Sequence, residues 1–374
     1  MSSVPDRVLK LAIEIQQIPA PTFAEARRAG FVRDAFDRAG LLAVAADEMH
    51  NVYARMPGTS PGVRPILVTA HTDTVFPANT DLTLREAPGQ IIGPGIGDNS
   101  LGVAGLMGLV WSLQAEKIEP PGDIWLAANV REEGLGDLAG MRAVVRHLGQ
   151  RAKAILVLEG MALGHIYHRG VGVRRYQISV ETEGGHSWLR FGKPSAIHEL
   201  MRLGARLADL EAPAQPRSTF NIGVIEGGTS VNTIASSASL QLDLRSEDPA
   251  VLNDMAGRAE KIARSFAGPE VEIDLKLIGE RPPGELRKDH PLVQLAVEAL
   301  NAVGGSFPSL EAGSTDANIP LSYGLPCICI GLTRGGNAHT LAEYIETEPL
   351  ALGLRALTLT LLGAFEMKTI AETT

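Results

Sequence analysis

Apolar runs that end in a histidine or a carboxylate recur along this chain, and that pattern limits the folds open to it. Residues 66–70, I-L-V-T-A, read as a buried strand, and His71 and Asp73 stand where it runs out. Residues 123–129, D-I-W-L-A-A-N, lead into Glu132 and Glu133. Residues 154–158, A-I-L-V-L, are followed at once by Glu159. An open sheet places its ligand crevice outside the carboxyl ends of its strands. Carboxylates converging there repel one another and need a cation, or a raised pKa, to coexist. Residues two apart on an extended chain face the same side, so Asp73 can fix the ring tautomer of a metal-binding His71. Taken alone, H-x-D is also an ordinary strand end.

The chain of 374 residues has room for about two domains. Its 45% apolar content suits a folded protein with a sizeable core. A net charge of −9, with no basic stripe, gives no footprint for nucleic acid. No apolar stretch reaches the roughly 20 residues of a membrane span. The N-terminus lacks a signal-peptide core, so a cytoplasmic location is the default expectation. Two cysteines make no disulfide framework. Cys327 and Cys329 share one face of an expected buried strand, which suits core packing.

Helical spacing covers residues 8–17 and ends at Pro19 and Pro21. Thr22 is the expected N-cap of a second helix reaching residue 39, with Glu25 in the capping-box position and Gly40 as its end. Strands are expected at 42–45 and 52–56. The stretch G-P-G-I-G-D-N-S-L-G opens an apolar helix over residues 100–114. Its glycines suggest a phosphate loop, but the Walker lysine is absent. Asp98, just before this helix, reads as a cap or as a ligand. Residues 170–280 follow the order β-α-β-β-α-β, a ferredoxin-like pattern, and form an expected inserted domain. Helix 291–303 returns to the first domain. A Gly/Ser/Thr loop at 311–320, a buried strand at 325–332, His339 in a loop and an apolar helix at 349–367 follow.

His71, Asp98, Glu133, Glu159 and His339 make two imidazoles and three carboxylates, a suitable inventory for two zinc ions sharing one carboxylate. Nitrogen and oxygen ligands without cysteine match catalytic rather than structural zinc. Two metals about 3.5–4 Å apart can hold a hydroxide nucleophile and polarise a carbonyl. Glu132 is then the spare carboxylate, able to take a proton from water and deliver it to a leaving amine.

With H-T-D-T at His71, G-D-N at Asp98, R-E-E-G at Glu132, L-E-G at Glu159 and G-N-A-H-T at His339, nearly the whole chain resembles the dinuclear-zinc exopeptidase and deacylase family. That family includes glutamate carboxypeptidase, peptidase T and aminoacylase. The resemblance implies an α/β/α catalytic domain, residues 1–168 and 283–374, with an inserted ferredoxin-like α+β lid and dimerisation domain at 169–282. It implies two Zn2+, with Co2+ or Mn2+ as substitutes. Asp98 bridges them, with His71 and Glu159 on one metal and Glu133 and His339 on the other. Asp73 supports His71, and Glu132 is the general base. In the lid, His186, Asn232 and Arg245 match substrate-binding positions, and His186 is expected to serve the partner protomer of a homodimer. Gly313 and Ser314 belong to a loop resembling one that offers backbone N–H groups to substrate. The Asp98–Asn99 peptide is expected to be cis.

In this family a glutamate at the position of Glu159 accompanies carboxypeptidases and deacylases. The expected substrate is therefore a small peptide or N-acyl amino acid whose free carboxylate Arg245 could bind bidentately. The G-S-T-D-A-N-I loop keeps a peptidase T-like aminopeptidase open as an alternative. A non-catalytic metal- or ligand-binding protein on the same fold would be marked by loss of Glu132 or a ligand, and none is lost.

Overall fold

Every residue of the Ile66–His71 strand is buried, so both of its faces are covered, as in a parallel sheet between helices. The structure is a computed structural model that describes residues 2–304 and 307–368. The chain divides into two units, Met1–Gly170 with Gly284–Thr374, and Val171–Pro283.

The first unit is built on a nine-stranded sheet. At its centre Ile124–Asn129, Ile66–His71, Ala154–Glu159 and Cys327–Gly331 run parallel in that spatial order. Their carboxyl ends therefore share one edge. Antiparallel strands Val52–Met56 and Leu42–Ala46 extend one side, and His165–Gly170 extends the other. Helix Gly102–Glu116 packs on Ile66–His71, and Ala139–Leu148 packs on Ile124–Asn129. A core of Phe36, Leu67, Leu126, Leu156 and Ile328 fills the layers. A separate four-stranded sheet joins Gly335–Gly336, Tyr344–Glu346, Gln90–Ile92 and Arg85–Ala87. Cys327 and Cys329 are buried and unpaired.

The second unit has an antiparallel sheet in the order Ser218–Gly227, Ser237–Ser246, Gly172–Glu181, Glu272–Arg281. Helices Ala196–Ala208 and Pro249–Arg264 pack on it. Ser237–Ser246 alternates between buried and partly exposed residues, the pattern of a sheet with one covered face. Its own core includes Ile178, Leu200, Leu242 and Met255. Strands Gly185–His186 and Thr233–Ile234 form a small ladder beside it. Among the described residues no helix is long and apolar enough to cross a membrane.

One expected cap is corrected. The second helix is Ala26–Arg38 and has no side-chain cap bond at its start. The Thr22 hydroxyl instead donates to Asp73 at 2.9 Å, and Glu25 accepts the N–H of Phe23 and of Arg131. Both side chains serve a buried edge of the sheet rather than their own helix. The stretch before Gly102–Glu116 is an irregular turn, Ile96–Leu101, that carries Asp98 without capping. Helix Ala139–Leu148 has no counterpart among the elements expected from sequence. Its Met141, Val144, Val145 and Leu148 are buried at helical spacing, but a glycine-containing turn with left-handed residues obscures its start.

Packing leaves two glycines with opposite expectations. A Cβ on Gly353 would lie 1.9 Å from the Leu332 carbonyl oxygen, whereas one on Gly30 meets nothing within 4 Å. Gly353→Ala forces backbone apart and should destabilise the protein by about 1–3 kcal/mol. Gly30→Ala, inside helix Ala26–Arg38, should stabilise it by about 0.4–1 kcal/mol. Urea unfolding curves check both signs.

Candidate metal centre

The parallel strand ends deliver the first groups. His71 closes its strand opposite Asn129. Past it the chain is held to the neighbouring strand, because Thr72 donates both its N–H and its hydroxyl to the Asn129 carbonyl. Asp73, fully buried, accepts the backbone N–H of Glu132 on one oxygen and of Glu133 on the other, each at 2.9 Å. One carboxylate thus fixes the main chain of both glutamates. The His71 Nδ1–H donates to the Asp73 main-chain oxygen at 3.1 Å, while the Asp73 carboxylate stands 3.5 Å away. The nearer acceptor is the peptide carbonyl, and it leaves Nε2 of the neutral ring as the atom that could bind a metal.

Asp98 comes from the irregular turn, and its peptide bond to Asn99 is cis. The Asn99 amide donates to the Leu158 carbonyl and accepts the Gly160 N–H. It therefore ties this turn to the strand end that carries Glu159. Asp98 Oδ1 lies 3.2 Å from His71 Nε2, and Asp98 Oδ2 lies 3.1 Å from His339 Nε2. On the His71 side, Glu159 Oε2 is 3.7 Å from Nε2. On the His339 side, Glu133 Oε1 is 3.2 Å from Nε2. The His71 side chain is 2% exposed and that of His339 is 53% exposed, so the site opens to solvent on the His339 side.

Ligand atoms bound to tetrahedral zinc at about 2.0–2.2 Å lie roughly 3.3–3.6 Å from one another. The separations around Asp98 fall about that range, and the donors are imidazole and carboxylate. His71, Asp98 and Glu133 bring ligand atoms within 4.8 Å of one another, a group that could hold a metal ion. Glu132 is buried beside it.

The electrostatics follow from packing anions with imidazoles. Burial alone would raise the Asp98 carboxyl, but hydrogen bonds from His339 and His71 hold it well below the usual carboxylate range. Hydrogen bonds to Asp98 and Glu133 lift His339 to about 10. Burial would lower His71, yet its bonds to Asp73, Asp98 and Glu159 raise it well above the ordinary histidine value. Burial pushes Glu159 up to about 7, with repulsion from Asp98 and Asp316 added and His71 opposing.

Several positioning groups lie outside the expected set. Asn129 donates to the buried carboxylate of Asp316 at 2.7 Å. Glu343 accepts the N–H groups of Gly95, Gly97 and Asp98. In the Gly313 loop, the Thr315 N–H is engaged by the Asn318 side chain, and a Cβ on Gly313 would meet the Tyr167 ring at 2.7 Å.

The remaining expected residues belong to the second unit. There His186 and Asn232 are brought together, since the Ser187 N–H donates to the Asn232 carbonyl. The His186 Nδ1 accepts the Trp188 N–H at 3.2 Å, so a neutral ring carries its proton on Nε2. Arg245 stands apart from them on Ser237–Ser246, its Nε donating to Asp243 at 2.7 Å.

Raised histidine values have a measurable consequence. Metal ligation requires neutral imidazole, so metal binding releases protons. Zinc added to metal-stripped protein at pH 7.5 should release at least about two protons per chain, from His71 and His339, with a further fraction from Glu159, which lies near 7. The histidine share should fall only as the pH approaches about 10, where His339 loses its proton unaided. Calorimetry in buffers of different ionisation enthalpy measures the number, and buffer-independent heat at pH 7.5 contradicts it.

Residues 67–363 match the family described as Peptidase family M20/M25/M40. Acetylornithine deacetylase of Myxococcus xanthus is 26% identical over 350 residues, which span 89% of this chain and 88% of that protein. Among solved structures, the aminopeptidase PepT from Bacillus cereus aligns with a TM-score of 0.76 at 22% identity, over 96% of this chain and 98% of that one. A tripeptidase from Staphylococcus aureus aligns with a TM-score of 0.78 at 20% identity, over 97% and 99%. Structural likeness at these identities speaks for the fold, while the family match spans most of the sequence and includes all five candidate ligands. The chain belongs to peptidase family M20/M25/M40, whose members are zinc-dependent peptidases or amidohydrolases.

Proposed function

We propose that this hydrolase binds two zinc ions and cleaves the amide bond of an N-acyl amino acid or small peptide that ends in a free carboxylate. The observation that carries the two-metal reading is Asp98, whose two oxygens face His71 and His339 on opposite sides. Glu159 stands on the first side and Glu133 on the second, which gives each side one imidazole and one carboxylate of its own. When bound, the metals polarise the scissile carbonyl and lower the pKa of water.

The chain's own groups do the rest. Glu132, held by its backbone N–H on Asp73, takes a proton from the attacking water and passes it to the leaving amine. His186 presents its Nε2–H as a donor to the oxygen that becomes anionic, and it does so in the partner protomer's site. Arg245 binds the substrate carboxylate. Its Nε is engaged by Asp243, so the two Nη groups form the fork that grips the substrate. The acyl amino acid preference rests on Glu159 and on the deacetylase relative. The aminopeptidase and tripeptidase neighbours are matched at low identity and support the fold.

Glu132→Gln should keep its metal and lose turnover by about 10²–10⁴-fold, while Glu133→Gln should lose metal. Equal metal loss in both variants contradicts the assignment. In a hydrolysis screen, N-acetyl amino acids should be cut, and masking their carboxylate as an amide should lower kcat/KM. Preference for peptides with a free amino terminus overturns the substrate reading. His186→Ala should cut turnover by about 10²–10³-fold with metal retained. Mixed with Glu132→Gln protein, it should regain activity on subunit exchange, because a heterodimer concentrates both defects in one site. Proven heterodimers without recovery contradict action across the dimer.

A further inference from the structure

Asp98 and His339 meet from segments far apart in the chain, and one buried side chain joins those segments. Glu343 is 0% exposed and lies four residues beyond His339. Its Oε1 accepts the N–H of Gly97 at 2.7 Å and of Asp98 at 2.8 Å, and its Oε2 accepts the N–H of Gly95 at 3.2 Å. Its own carbonyl accepts the Gly93 N–H at 2.7 Å. The next residue, Tyr344, begins a strand paired antiparallel with Gln90–Ile92. On the other side of Glu343 the chain is tied back toward His339, because the Glu343 N–H donates to Thr340 and the Thr340 N–H and hydroxyl donate to Asn337.

A carboxylate is suited to this place for a definite reason. The groups it meets are all donors, and an ionised carboxylate is acceptor-only. A glutamine could keep the two bonds to its carbonyl oxygen, but its amide N–H would confront the Gly95 N–H. Charge also strengthens bonds to peptide donors. The cost is a second buried carboxyl group beside Asp98, and simple loop closure does not call for one. What the carboxylate adds is a fixed separation between the Asp98 turn and the His339 loop.

We propose that Glu343 is a positioning residue that sets the Asp98–His339 side of the metal centre. It touches neither substrate nor metal. It acts through the main chain of Asp98 and through the loop that carries His339, so its loss falls on metal affinity and on kcat rather than on KM. This assignment rests on the metallohydrolase reading above.

The test titrates zinc into metal-stripped protein in competition with a chromophoric chelator, and measures kcat and KM with an N-acetyl amino acid. Glu343→Ala should weaken zinc binding at least about tenfold at one position, as loss of a group that orients a ligand does. Glu343→Gln should give a smaller loss, since two of three bonds survive. Gly58→Ala, whose Cβ would lie 2.2 Å from the Gly122 backbone at the amino-end edge of the parallel strands, serves as the destabilised control and should bind zinc as the wild type does. If Glu343→Ala fails to fold, Glu343→Gln alone decides between weakened and unchanged zinc affinity. Wild-type affinity in every folded Glu343 variant overturns the assignment, as does an equal weakening in Gly58→Ala. A wild-type protein that binds no zinc overturns the metal reading itself, and the assignment with it.

Discussion

Asp98 keeps one oxygen against His71 and the other against His339, and much of the surrounding structure serves to hold that carboxylate among other carboxyl groups. Glu133, Glu159, Asp73, Asp316 and Glu343 all crowd the same edge of the sheet. Buried charges of one sign cannot be stacked without compensation. Part of it comes from peptide N–H groups, which meet Asp73 twice and Glu343 three times. Part comes from the two imidazoles, held protonated without metal by the anions around them. The remainder defines what the edge is built to receive, a compact source of positive charge.

The N-terminal segment belongs to the same arrangement. Arg28 is buried and donates to the carbonyls of Ile18 and Thr72. Burial lowers its pKa to about 10, with Asp73 opposing, so it stays charged at neutral pH and faces Asp73. Thr22 adds a hydroxyl to that carboxylate, and Glu25 fastens the backbone at Arg131. The loop between the first two helices thereby braces the stretch from which Glu132 and Glu133 project. A change at Thr22 or Arg28 reaches the site through Asp73.

What sequence makes visible here is what periodicity and chain order carry. The apolar runs at 66–70, 123–129 and 154–158 are long enough to mark buried strands, and a polar residue at the end of each is conspicuous. The ferredoxin-like order of the second unit is legible for the same reason. The braces are not. Asn99 reaches Leu158 across 59 residues, Asn129 reaches Asp316 across 187, and Glu343 reaches Gly95 across 248. No local spacing encodes such a pairing. Thr22 misleads because a threonine three residues before a glutamate is a sound capping signal, and only tertiary structure reveals that Asp73 competes for the hydroxyl.

In the proposed site the shared carboxylate of Asp98 divides the edge into two metal positions. Anomalous diffraction at the zinc absorption edge, from crystals of zinc-loaded protein, tests this division most directly. Two peaks should flank Asp98, one contacting His71 and Glu159 and the other contacting His339 and Glu133, with Glu132 bound to neither. A single peak, or zinc coordinated by Glu132, would contradict it.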